Sequence, residues 1–184
     1  MILISVVLLS SFGFPGDDKD IIVWDEKRLL NWDDFRGPPA KRWSAASTTY
    51  DILKSLEKKD ANSASVKIEA VFFCTKSWKK VSWINNSVLI HEQKHFDIAE
   101  LYARQLRQRL SSLKFNSYAD LKSKSDSLYD VIDKEMDVYQ DKYDEETDAS
   151  MNGEKQREWN KKISEEILEL SAYKVTDLTI FYTK

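Results

Sequence analysis

Asn85-Asn86-Ser87-Val88-Leu89-Ile90-His91-Glu92-Gln93-Lys94-His95-Phe96-Asp97-Ile98-Ala99 is the stretch where the chain changes period. Upstream, apolar residues recur every second position. Val66, Ile68, Ala70 and Phe72 alternate with Lys67, Glu69 and Val71, which predicts a strand with one buried face. Downstream, Val88, His91, His95, Ala99, Tyr102, Leu106 and Leu110 recur at three and four, which predicts a helix to about Lys114, capped by Asn86 or Ser87. Strands first and helices afterwards argue for an α+β domain: a small antiparallel sheet from the N-terminal half, packed on this helix and two further C-terminal helices.

Working outward, Ile21-Ile22-Val23-Trp24 and Leu30 to Phe35 read as strand-like runs, the second stopped by Gly37-Pro38-Pro39. Thr48–Leu56 and Val66–Thr75 read as two longer strands around the polar turn Lys58 to Ser63. Ser117 with Asp120 has the pattern of a capping box for a second helix, with Leu121, Leu128, Ile132, Tyr139 and Tyr143 on its stripe. A break at Ala149–Gly153 precedes a third helix bearing Trp159, Ile163, Ile167 and Leu170, and Thr179–Tyr182 can add an edge strand. Met1 to Phe14 is apolar and ends in Pro15-Gly16, which predicts a signal peptide over 1–16 and an exported domain over 17–184. The basic residue that usually precedes such a core is missing.

Composition removes several classes. A single Cys excludes a disulfide scaffold and Cys-rich zinc knuckles, and Cys74 reads as a small buried apolar residue. The 184 residues carry a net charge of −3, with no general pull toward nucleic acid, and no apolar run beyond the first residues is long enough to span a membrane. Residues 76–114 hold eight Lys or Arg against three Asp or Glu, and residues 117–150 hold four against eleven. Two helices with complementary solvated faces account for that asymmetry.

Both histidines of the protein lie in His91-Glu92-Gln93-Lys94-His95. On a helix, a spacing of four puts two imidazoles on one face, one turn apart, able to grip one metal ion. Glu92 can then reach a water on that ion. Coincidence would produce this arrangement roughly once in a thousand shufflings of the composition. Two imidazoles and a carboxylate suit Zn²⁺, and a catalytic site leaves the fourth position to water. The chemistry this predicts is peptide hydrolysis with Glu92 as general base. No Ser/His/Asp route competes, because both histidines are already used. The third ligand has to be Asp, Glu or water. Asp144, Asp148 and Glu135 are the candidates, the last because it falls between Val131 and Tyr139 by helical count. An Arg or Lys partner is the competing role for Glu135.

The chain resembles a bacterial family of secreted zinc-dependent proteases catalogued as the domain of unknown function 922 family. The matching pieces run in order: Leu30-x-Trp32-x-Asp34-Phe35-x-Gly37, Ser77-Trp78, Leu89-x-His91-Glu92-Gln93-x-His95-Phe96-Asp97-Ile98-Ala99-Glu100, Ala103-Arg104, Tyr143-Asp144-x-x-Thr147 and Gln156-x-x-Trp159. The resemblance implies a zincin-like fold, a zinc cofactor and a protein or peptide substrate. Family members often carry His two residues after the Thr, where this chain has Ala149. If that His ligates the metal, the resemblance implies a weakened site and a non-catalytic envelope protein on the same scaffold. If Asp144 or Glu135 is the ligand instead, it implies an enzyme with altered substrate contacts.

Overall fold

The computed structural model describes residues 20–41 and 43–183, so the signal-like stretch 1–16 lies outside the described residues. The architecture is α+β. Strands β1 (Ile21–Val23), β3 (Tyr50–Lys58), β4 (Ser63–Phe73) and β6 (Asp177–Phe181) form one antiparallel sheet, and β2 (Ala46–Ser47) with β5 (Trp78–Lys79) forms a separate two-stranded sheet. Helices α1 (Asn86–Ser112), α2 (Tyr118–Thr147) and α3 (Gly153–Glu169) follow β5, and β6 closes the chain. Among the described residues, no helix is long and apolar enough to cross a membrane.

The longest strand, β4, is the spine. On one side it pairs with β3, from Tyr50↔Phe72 to Lys58↔Ala64. On the other side β1 and β6 pair with its two ends, β1 opposite Val71–Phe73 and β6 opposite Ser63–Lys67. Val66, Ile68, Ala70 and Phe72 are buried on one face, as their alternation predicts, and join Phe96, Ala99, Ala103 and Leu106 in the core. Val71, on the opposite face, is buried as well.

Helix α1 packs on this face and against both α2 and α3, and α2 also reaches β3 through Lys54–Asp126 and Tyr129–Asp51. Its cap is Asn85, whose side chain accepts from the Val88 amide, one residue before the predicted Asn86. The expected complementary helix faces meet at Arg109 of α1, which forms a two-pronged pair with Glu135 of α2. Other α1 cations turn inward. Arg104 and Arg107 both bind buried Glu100, and fully buried Arg107 also donates to the Ile68 carbonyl of β4. Lys94 pairs with Asp97 within the helix.

Leu30 to Phe35 is not a strand. Trp32–Asp34 is a 3-10 turn, because Asn31 caps it and Asp34 reaches back to the Asn31 amide. Arg28 then holds Asp34 through two hydrogen bonds. Residues Gln93 and Asp97 bind this segment to α1: Gln93 accepts from the Leu30 amide, and Asp97 accepts from Trp24 Nε1 and Gln93 Nε2. These two motif residues therefore fasten the N-terminal segment.

Gly37 locks the same segment to the pocket wall. Its amide donates to the Ser77 carbonyl at 2.7 Å, and it bridges to Trp78. A Cβ here would meet the Thr75 and Ser77 carbonyl oxygens at 2.7 and 2.8 Å. Those are backbone atoms that cannot rotate away, so Gly37→Ala should cost about 1–3 kcal/mol. A denaturant titration checks this, and an unchanged midpoint would show that the 36–38 backbone moves without penalty.

Candidate metal centre

One cavity of about 360 Å³ opens between the two-stranded sheet, the start of α1 and the end of α2. His91, Glu92, His95, Gln140, Asp141 and Asp144 line its helical side, and Ser44 to Thr48, Tyr50 and Trp78 line the opposite side. Of the residues predicted from sequence, His91, His95 and Asp144 meet at one point. His91 Nε2 and His95 Nε2 are 3.2 Å apart, and Asp144 Oδ1 lies 3.1 and 3.0 Å from them. This is a near-equilateral triangle of acceptor atoms that could hold a metal ion. Ligands of a tetrahedral zinc at about 2.0–2.1 Å stand roughly 3.3 Å apart, so the triangle needs only slight widening.

Two glutamines set the tautomers. His91 Nδ1 faces Gln156 Oε1 at 3.0 Å, and His95 Nδ1 faces Gln140 Oε1 at 2.6 Å. The amide orientations follow from what the nitrogens do. Gln156 Nε2 donates to Tyr143 Oη and Asn160 Oδ1, and Gln140 Nε2 donates to the His95 carbonyl. Each Nδ1 therefore carries the proton, which turns both Nε2 lone pairs toward Asp144. Three acceptors then converge, and they are reconciled only by a cation or by a second proton on an imidazole. Burial opposes that extra proton on His95, but Asp144 and then Glu92 outweigh it and raise the imidazole above its ordinary value. Burial likewise pulls the Asp144 carboxyl up, while the hydrogen bonds to His91 and His95 hold it well below the usual carboxylate range.

Tyr143 braces both rings. It stacks on His91 at 4.7 Å, meets His95 edge-on at 5.0 Å and donates to the His91 carbonyl. Burial pushes its phenol far up, so it stays a donor. On the sheet side Tyr50 lies parallel to the His95 ring, and burial followed by the Asp137 and Asp144 charges keeps it a neutral phenol.

Glu92 is buried beside the triangle, and its Oε2 has no hydrogen-bond partner among the described residues. The remaining candidates lie elsewhere. Glu135 is bound to Arg109, outside the cavity, because the buried stripe of α2 runs through Ile132, Met136, Gln140 and Tyr143. Val131, from which the count to Glu135 starts, is 47 % exposed. Asp148 is the left-handed cap of α2 and belongs to no ligand group. Ala149 and Ser150 continue the left-handed turn and form part of the cavity wall. Gln140 is the site residue that sequence reasoning missed, and the role of Gln156 was not read either. The available signal was a large polar side chain on a mostly apolar helix stripe, at Gln140 between Met136 and Tyr143 and at Gln156 ahead of Trp159 and Ile163.

The family described as "Bacterial protein of unknown function (DUF922)" matches residues 26–153, more than two thirds of the chain. The chain belongs to the DUF922 family. No curated protein and no solved structure matches it. The DUF922 region contains the whole acceptor triangle and Glu92, whereas Gln156, the partner of His91, lies just past its end.

Proposed function

We propose that this DUF922 chain is an exported zinc-dependent metallopeptidase, with His91, His95 and Asp144 as ligands and Glu92 as general base. The observation that carries the reading is the Glu92 carboxylate. Taking one of its oxygens out of water without a partner costs on the order of 1–3 kcal/mol. A site that only holds a metal has no use for that group. A hydrolytic site needs it beside the ion. Two imidazoles and one carboxylate would suit zinc and would leave one position for a water.

Zinc, when bound, supplies a Lewis acid that makes water nucleophilic near neutral pH and polarises a carbonyl. Glu92 Oε2 accepts the proton of the attacking water and passes it to the departing amine. The Gln140 and Gln156 amides keep both imidazoles in the ligating tautomer, and Tyr143 stops the rings from turning. The family resemblance supports peptides as the substrate class, and the apolar Met1–Phe14 stretch supports export.

Ala149 favours a second reading, a scaffold with weakened zinc binding. It lies in the cavity wall at a position where the resembling family often has His. Zinc content of the purified protein and of Ala149→His decides between them. The enzyme reading expects about one zinc per wild-type chain, little change in Ala149→His, and hydrolysis of unfolded proteins. Zinc bound only by Ala149→His, with no hydrolysis by wild type, would establish the weakened scaffold.

A further inference from the structure

The two-stranded sheet at the mouth of the cavity carries a surface that the metal centre does not use. Trp43, just before β2, is 93 % exposed. After β5, Lys80 to Trp83 make a tight turn closed by the Trp83 amide on the Lys80 carbonyl, with Val81 78 % and Trp83 42 % exposed. The Trp43 and Trp83 rings meet edge-on at 5.1 Å, and Lys80 Nζ sits 4.5 Å over Trp83. Lys41 and Lys76 are exposed and precede Trp43 and Lys80 closely in sequence, with Lys76 Nζ 4.3 Å over the Phe73 ring. Residues 36–49 and 70–91 together hold six Lys or Arg and no acidic residue, in a chain whose net charge is −3.

We propose that this tip is a docking surface for an anionic lipid bilayer. Trp43, Val81 and Trp83 enter the boundary between headgroups and acyl chains, and Lys41, Lys76 and Lys80 meet lipid phosphates. Indole rings with neighbouring cations favour that boundary. Isolated exposed apolar side chains are ordinary, but Trp43 against a turn that exposes Val81 and Trp83, on stretches of chain with lysines and no carboxylate, marks an interaction site. Bilayer suits the geometry better than nucleic acid. The rings stand at 68° and offer no parallel shelf for bases, and aliphatic Val81 gains from hydrocarbon but not from a nucleobase. Each lysine near an anionic surface contributes about 1 kcal/mol, so the attachment is reversible and weakens with salt. Trp78 and Ser44 to Ser47 belong to the cavity wall, so docking holds its mouth near the bilayer. This inference does not depend on metal binding or hydrolysis.

The test is co-sedimentation of the full chain with phosphatidylcholine vesicles containing about one third phosphatidylglycerol, and with pure phosphatidylcholine. Wild type should partition onto the anionic vesicles, and high salt should release it. Trp43→Ser/Val81→Ser and Lys76→Gln/Lys80→Gln should each weaken partitioning by roughly tenfold with unchanged melting temperature. Should the double variant fold poorly, Val81→Ser alone, at the exposed turn, should still weaken it several-fold. Failure of wild type to bind anionic vesicles would overturn the proposal, as would equal binding by the variants. Binding to a single-stranded oligonucleotide or self-association in place of vesicle binding, lost in the same variants, would reassign the surface.

Discussion

Glu92→Gln should retain zinc and lose nearly all hydrolysis. Glutamine is nearly isosteric and can still hydrogen-bond a water, but it takes no proton at neutral pH. A positioned general base is worth about 10²–10⁴ in rate, or about 3–5 kcal/mol of barrier. The fold should tolerate the change, because the Glu92 side chain leaves one oxygen unpartnered and its backbone carbonyl, not its carboxylate, receives the Thr48 hydroxyl. A neutral amide in that place is no worse solvated than a buried carboxylate. The measurement is initial rate on unfolded proteins alongside zinc content. Equal rates for wild type and variant would remove Glu92 from the chemistry and leave the non-catalytic scaffold as the better reading.

Legibility followed the range of the interactions. The helix starts were readable to within a residue because capping is local: Asn85 and Ser117 bind amides three residues on. The second box is only half formed. Ser117 accepts from Asp120, but the Asp120 carboxylate turns to the Asn116 amide instead of closing the pair. The Trp32–Asp34 turn was misread because Leu30, Trp32 and Phe35 resemble a strand, and the deciding contacts, Gln93 to Leu30 and Arg28 to Asp34, are side-chain matters. That β1 and β6 share one edge of β4 rests on pairings such as Ile21↔Phe73 and Ser63↔Phe181, far apart in the chain, which no local period encodes. In the cavity, the spacing of His91 and His95 was visible at once. Asp144 was one of three carboxylates left by elimination. Glu135 drew attention because it falls between Val131 and Tyr139 by helical count, yet Val131 is 47 % exposed and the buried stripe runs through Ile132, Met136 and Gln140.

His91→Ala should abolish stoichiometric zinc, and Asp144→Asn should weaken it by on the order of 10²-fold or more. Removing His91 leaves one imidazole and one carboxylate, too few for a closed tetrahedral set. Asn at 144 keeps the size and one acceptor oxygen but loses the negative charge that the triangle brings to the cation. Zinc content and a thermal readout test this without any activity assay. Free zinc at about a thousandfold above its dissociation constant stabilises the native state by about 4 kcal/mol. For a chain of this length that raises the melting temperature by roughly 8–16 °C. Wild type should show the rise, Asp144→Asn only part of it at the same zinc concentration, and His91→Ala none. Glu92→Gln should rise as wild type does, because Glu92 is no ligand. A zinc-induced rise that survives His91→Ala would place the bound ion away from the triangle. A rise lost in Glu92→Gln would make Glu92 a ligand and take away its role as the base.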